Sequence, residues 1–249
     1  MFTSAVTNLR HEIKLLITYA DYVALSKKIG ALLPKDSFTS DTGDYFIRSL
    51  YLDDEYMSSY REKMAGSDKR KKYRIRIYNC SDNVIKLECK QKVGARICKT
   101  SCSITKEMFE EYINGNPTPL LKSEHDLAKE VYSLTRSKLL SPMVVVDYDR
   151  EAYVHPLSNT RITFDKFLHA GINDVDIFNK DLLTYPVLTD DLVILEVKYD
   201  YFFPSYLADL LKTVRGKKIA LSKYCMCADA MLNLNNAAVS INSINGGTY

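Results

Sequence analysis

Residues 69–79, KRKKYRIRIYN, place six cations in eight positions, although the chain as a whole carries a net charge of only +3. Side chains alternate across a strand, so Arg74 and Arg76 share one face about 7 Å apart while Tyr73, Ile75 and Ile77 share the other. The pattern recurs along the chain. In 84–92, Lys86, Glu88 and Lys90 oppose Ile85, Leu87 and Cys89. In 10–18, Arg10, Glu12 and Lys14 oppose His11, Ile13, Leu15 and Ile17. Arg161, Thr163 and Asp165 oppose Ile162 and Phe164, and Glu196 and Lys198 oppose Leu195 and Val197. Tyr148 and Arg150 continue the face of Val144 and Val146, so that face turns from apolar to polar partway along its strand.

The plainest reading of such strands is a half-buried antiparallel sheet with its charges in water. Two features pull toward chemistry instead. Arg and Lys dominate the polar face, and carboxylates are sparse, about one per strand: Glu12, Glu88, Asp165 and Glu196. If that face points inward, like charges ~6 Å apart repel by about 3 kcal/mol at an effective dielectric of roughly 20. A phosphate chain is the anion whose charge density offsets this, with Arg and Lys as its binders. Mg²⁺ or Mn²⁺ is held by one or two carboxylates plus phosphate oxygens, so the isolated carboxylates suit phosphoryl transfer.

The elements that must position these groups are mostly strands: 10–18, 45–52, 72–79, 84–92, 96–104, 143–153, 160–168 and 192–199 alternate. Helical periodicity fits 20–33, 54–64, 106–113, 123–139 and 204–214, with a last helix starting near Ser222. Hairpin turns are expected at 79–83 and 92–95. Eight strands suffice to close a barrel around one small ligand, so the expectation is an α+β fold built on a closed eight-stranded antiparallel barrel with helices outside. The 249 residues read as one domain over 1–232, followed by an Asn/Ser/Gly-rich tail over 233–249 expected to be disordered. Residues 61–99 hold thirteen Lys/Arg against four Asp/Glu, which points to an anionic partner.

Nine segments carry a resemblance to a known family: RHEIK, SLYLDD, REKMAG, KYRIRIYN, IKLECKQKVG, VDYDREAY, RITFDK, LEVKYD and LSKY, in family order from residue 10 to 224. Together they resemble the polyphosphate polymerase (VTC, vacuolar transporter chaperone) domain in its free-standing bacterial form, within the CYTH or triphosphate tunnel metalloenzyme superfamily. The resemblance implies an eight-stranded tunnel in which Lys14, Arg74, Arg76, Lys90, Lys99, Arg150 and Lys223 contact phosphates. Tyr148 and Ser222 would add hydrogen bonds, and Glu196 would hold Mn²⁺ or Mg²⁺. Arg10 stands where the superfamily's E-x-E-x-K opening has its first glutamate, a departure that favours the polymerase branch. Unaided, Ser222 and Lys223 read as an N-cap and a surface lysine.

The site residues expected on these grounds are therefore Lys14, Arg74, Arg76, Lys90, Arg150 and Lys223 for chemistry. Arg10, Lys86, Lys99, Tyr148, Arg161, Lys198 and Ser222 would bind substrate, and Glu196, Glu12, Glu88 and Asp165 would serve the metal. Lys69, Arg70, Lys71 and Lys72 would ring the mouth. The expected activity is transfer of phosphate from ATP or another nucleoside triphosphate onto inorganic polyphosphate. Triphosphate or polyphosphate hydrolysis and non-catalytic polyphosphate binding are the alternatives.

Other chemistries fit less well. The Gly-Lys-Lys of VRGKKIALSK lacks the earlier glycine of a phosphate-binding loop. The four histidines are scattered, and the six cysteines show no zinc spacing, so all six read as reduced packing residues. Tyrosines such as Tyr51 and Tyr73 fall on faces assigned to packing, so nucleic acid is not expected. No apolar run is long enough to cross a bilayer and no secretory segment is evident, which reads as cytoplasmic. Export of a product would need a membrane partner protein.

Overall fold

The computed structural model describes residues 11–39, 43–94, 96–138, 140–218, 220 and 222–245. Its strands are β1 (His11–Thr18), β2 (Tyr45–Asp53), β3 (Lys69–Tyr78), β4 (Ser81–Val93), β5 (Arg96–Ser103), β6 (Ser141–His155), β7 (Thr160–Gly171), β8 (Thr184–Pro186), β9 (Leu192–Tyr199) and β10 (Lys217–Lys218). Its helices are α1 (Tyr19–Gly30), α2 (Ser58–Met64), α3 (Lys106–Ile113), α4 (Asp126–Lys138), α5 (Ser205–Leu211) and α6 (Lys223–Asn245). All ten strands join one antiparallel sheet in the order β10-β1-β9-β7-β6-β2-β3-β4-β5, with β8 pairing β7. No helix among the described residues is long and apolar enough to cross a membrane.

Local chemistry accounts for the element ends. Thr18 caps α1 by accepting from the Asp21 N–H at 3.1 Å, and Lys27 and Lys28 sit in its last turn. Asn79 and Cys80 both adopt positive φ (52° and 50°), the geometry of a two-residue hairpin turn between β3 and β4. Gly94 does likewise at φ 58° between β4 and β5.

The apolar alternation faces outward onto helices. Tyr73, Ile75, Ile77, Ile85 and Leu87 pack under α3 and α4 with Phe109, Tyr112 and Val131. Ile17, Phe164, Leu195 and Val197 pack under α1 and α5 with Leu25, Ile29 and Leu207. A third apolar cluster lies on the opposite face, where Tyr51, Val144, Val146 and Ile194 meet Tyr224, Cys225, Cys227 and Ala228 of α6. This accounts for the apolar half of β6: α6 covers Val144 and Val146, leaving Arg150 to the polar half.

The expected closed eight-stranded barrel is not what forms. The eight long strands are those read from the sequence, but the sheet curls without closing, and β8 and β10 are additions. β10 occupies the free edge of β1, pairing Leu15 with Lys218 and Leu16 with Lys217, while β5 pairs only with β4. Closure would require the β5 and β1 backbones about 4.8 Å apart, and β10 holds that position. Gly216 permits this, since a Cβ there would lie 3.0 Å from the Leu15 Cβ. The Gly-Lys-Lys run thus serves as an edge cover. Among the cysteines, Cys89, Cys102, Cys225 and Cys227 are buried, but Cys98 is exposed rather than packed.

Candidate functional site

Register places most of the charged residues singled out above on one face, while Arg48 and Asp147, Glu151 and Lys71 lie on the other. Arg74 pairs with Glu88 and Arg76 with Lys86 between β3 and β4; Lys90 pairs with Lys99 between β4 and β5. Arg150 pairs with Asp165 between β6 and β7, and Arg161 with Lys198 between β7 and β9. Lys14 pairs with Glu196 and Glu12 with Lys198 between β1 and β9. This shared face is the inside of the curl. β1 and β4 stand six steps apart in the sheet order, which in a flat sheet would be about 29 Å. Yet the Lys90 ammonium lies 3.0 Å from Glu12.

On the β1–β9–β7–β6 side, cations and carboxylates interlock. Lys14 lies 2.6 Å from Glu12 and 3.7 Å from Glu196; Lys198 lies 3.1 Å from Glu196, and Arg150 reaches it at 3.8 Å. Arg150 also donates two bonds to Asp165, 2.6 and 2.8 Å long, in the bidentate geometry a planar guanidinium favours. Lys223 reaches the same carboxylate at 2.6 Å. Tyr148 is flanked by Arg150 and Lys223, whose cationic groups sit 5.2 and 4.9 Å from its ring.

On the β2–β3–β4–β5 side, cations outnumber their partners. Arg74 lies 2.6 Å from Glu88, which also pairs with Lys99, and donates to the Tyr51 hydroxyl at 2.9 Å. Lys86 donates to Ser103 at 2.9 Å, and Lys72 to Ser222 at 2.9 Å. Arg76 is 5% exposed, and its hydrogen bonds go to neutral hydroxyls, Ser49 at 3.0 Å and Tyr148 at 3.0 Å. Among the described residues Arg76 makes no direct ion pair; the carboxylate that feels its charge, Glu88, is already bonded by Arg74 and Lys99.

The electrostatics follow the geometry. Burial raises the Glu88 carboxyl, but Arg74, Arg76 and Lys99 outweigh it and bring it to about 2. Asp165 is likewise raised by burial, then held at about 2 by Arg150 and Lys223. Burial lowers Lys198 to about 8, against the pull of Glu196. Lys14 moves the other way, its burial outweighed by Glu196 and Glu12, which raise it. Glu196 is held well below the ordinary glutamate value, since Lys198, Lys14 and Lys223 overcome its burial.

The metal reading can be tested on the donor set. Each of the four candidate carboxylates is cation-bound in the free protein: Asp165, Glu88 and Glu12 by two each and Glu196 by three. Glu196 and Glu12 converge on Lys14, on adjacent strands of one face. Among the described residues no group of three or more His, Cys, Asp or Glu gathers to hold a metal. Two carboxylates do fit a Mg²⁺ or Mn²⁺ ion that completes its shell with phosphate oxygens.

Of the expected site residues, all but Arg10 converge on this groove or its rim; Arg10 lies outside the described residues. Arg161 sits at one end, bonded to the Tyr45 hydroxyl at 2.8 Å and paired with Asp36. Two expectations need correcting. Lys72 is inside rather than at the mouth, as its spacing of two from Arg74 already signals. Tyr51 shares the inner face, because its register partner is Arg74. Ser49 and Asp36 were not anticipated; neither carries a sequence signal of its own. Lys71 points outward to Glu130 of α4, 2.5 Å away.

A family model, VTC domain, matches residues 9–232, most of the chain. Comparison with curated protein sequences returns no match. Among solved structures, the chain is similar to a Bacillus halodurans protein provisionally described as an adenylate cyclase. That pair has a TM-score of 0.48 and 11% identity, covering 83% of this chain and 86% of that chain. PH1819 protein from Pyrococcus horikoshii OT3 gives a TM-score of 0.42 and 14% identity, with 91% and 99% coverage. At these scores the likeness carries no chemical inference. The family match does: by its extent over the strands that build the groove, the chain belongs to the VTC domain family.

Proposed function

We propose that the chain is a metal-dependent phosphotransferase that extends inorganic polyphosphate from a nucleoside triphosphate inside the basic groove. The observation that carries this reading is Arg76. A buried guanidinium that bonds only neutral hydroxyls, and shares the field of Glu88 with Arg74 and Lys99, is costly in the free protein and is satisfied when a strong anion enters. Arg74 and Arg76 lie about 7 Å apart on one strand, a spacing that engages non-adjacent phosphates of one chain. Their planar forks hold non-bridging oxygens in fixed orientation, while Lys86, Lys90 and Lys99 supply mobile charge.

On the facing side, Asp165 fixes Arg150 and Lys223, so these cations meet substrate already oriented. Phosphoryl transfer asks the protein mainly for alignment and charge neutralisation, and both sides of the groove provide them. Glu196 with Glu12 would hold Mn²⁺ or Mg²⁺. Such an ion would supply charge neutralisation to the phosphates. The implied partners are nucleoside triphosphate and polyphosphate, with a separate membrane protein required for any export.

One observation favours a second reading. The sheet is open along one side, which admits water as the acceptor and would make the chain a triphosphate or polyphosphate hydrolase. Incubating purified protein with ATP and Mn²⁺ and sizing the products on a gel separates the cases. A ladder of long phosphate polymer supports the polymerase, and orthophosphate alone supports the hydrolase. Unchanged ATP, with polyphosphate still retained by the protein, would overturn both in favour of a binding module.

A further inference from the structure

At the end of the groove marked by Arg161, an aromatic pair stands beside the cations. Phe38 is 68% exposed, and its ring lies nearly parallel to that of Tyr78, with centroids 6.3 Å apart and planes 11° from each other. Tyr45 closes the group, 6.1 Å from Tyr78. An isolated exposed phenylalanine is ordinary. This one is held in place and adjoins the anion-binding face.

The loop bearing it is anchored. Asp36 donates its N–H to Ala152 at 2.9 Å, and Val154 donates to Pro34 at 3.1 Å, so residues 34–36 run as an extension beside β6. The Asp36 carboxylate accepts the Phe38 N–H at 3.1 Å and also pairs with Arg161. The ring is therefore tied to a cation of the groove. Tyr78 follows Arg76 by two residues on the same face, about 7 Å away, a distance that a ribose spans. Two buried polar atoms here, Thr39 Oγ1 and Arg161 Nε, have no hydrogen-bond partner among the described residues.

We infer that Phe38 and Tyr78 form a stacking platform for the nucleobase of the donor nucleotide, placing its triphosphate on Arg76, Arg150 and Arg161. This rests on the phosphotransferase reading and adds how the donor is told apart from inorganic phosphate chains. Stacking is tolerant of base identity, because every base has a π face. The platform therefore selects nucleotides over inorganic tripolyphosphate while treating adenine and guanine alike.

Calorimetric titration of the full chain with ATP, GTP and inorganic tripolyphosphate tests it. Phe38→Ala should weaken ATP and GTP about tenfold each and leave tripolyphosphate unchanged, and Phe38→Trp should restore ATP binding. An equal loss for tripolyphosphate, or no loss for ATP, overturns the platform while the groove reading stands. Failure of the wild-type chain to bind any of the three overturns the groove reading and the platform together.

Discussion

The two sides of the groove treat charge in opposite ways. On β1, β9, β7 and β6, cations have carboxylates beside them: Lys14 with Glu12 and Glu196, Lys198 with Glu196, and Arg150 with Asp165. On β3, β4 and β5, Lys72, Arg74, Arg76, Lys86, Lys90 and Lys99 share one carboxylate of their own strands, Glu88. Among the described residues, Lys90 alone of these forms an ion pair across the groove, to Glu12. The first side is self-neutralised and holds its shape without substrate. The second carries a surplus that an anion must complete. Rigidity and affinity are thus assigned to different strands of one sheet.

The largest expected effect comes from breaking the balanced side. Asp165→Asn leaves Lys223 without its bonded carboxylate and Arg150 with only Glu196 at 3.8 Å, and removal of one member of a buried pair costs about 3–5 kcal/mol. Thermal unfolding should fall by roughly 10 °C in a chain of this size. Saturating tripolyphosphate should recover part of the loss, because phosphate replaces the missing charge. A melting temperature equal to wild type would show that the two sides do not differ as described.

On the surplus side the sign reverses. Arg76→Met removes a buried charge that no carboxylate bonds directly, on a side already rich in cations, so the melting temperature without anion should stay level or rise. The stabilisation that tripolyphosphate confers should shrink by about 2 kcal/mol, the worth of hydrogen bonds to a charged group. Melting curves with and without anion read both quantities. A fall without anion and an undiminished response to anion would remove Arg76 from the binding face.

The smallest effect is a pH limb. Lys198 titrates at about 8, below an ordinary lysine, because burial disfavours its charged form. It carries its charge below that value and loses it above. Tripolyphosphate affinity should therefore decline about two- to threefold as pH rises through 8. Lys198→Arg, charged throughout, should flatten the limb. A wild-type profile already flat from pH 7 to 9 would place Lys198 outside the field of the bound anion.

Much of this was legible in the chain. Alternation in RHEIK, KYRIRIY, IKLECKQ, RITFD and LEVK assigns Glu12, Lys14, Arg74, Arg76, Glu88, Lys90, Asp165 and Glu196 to one face. Strand ends agree with the structure to within a few residues, because turn chemistry at Asn79, Cys80 and Gly94 is local. Lys72 obeyed the same rule and was misplaced only because it adjoins a run of outer lysines. Ser222 and Lys223 could not be placed from their own surroundings. Their partners, Lys72 and Asp165, lie far away in sequence, and α6 meets them only after the sheet has curled.

The sequence by itself determined which residues form strands and which side of each strand is charged, since a period of two is written into neighbouring residues and the apolar half must be buried. Only the tertiary structure decided that the charged side faces inward, that Lys90 meets Glu12 across the groove, and that β10 covers the β1 edge so the sheet stays open. It alone separated the balanced side from the one with surplus cations, and brought Phe38 to Tyr78. The reason is physical: alternation is set within a strand, whereas curl, strand order and edge cover depend on contacts between segments remote in the chain, which no local pattern encodes.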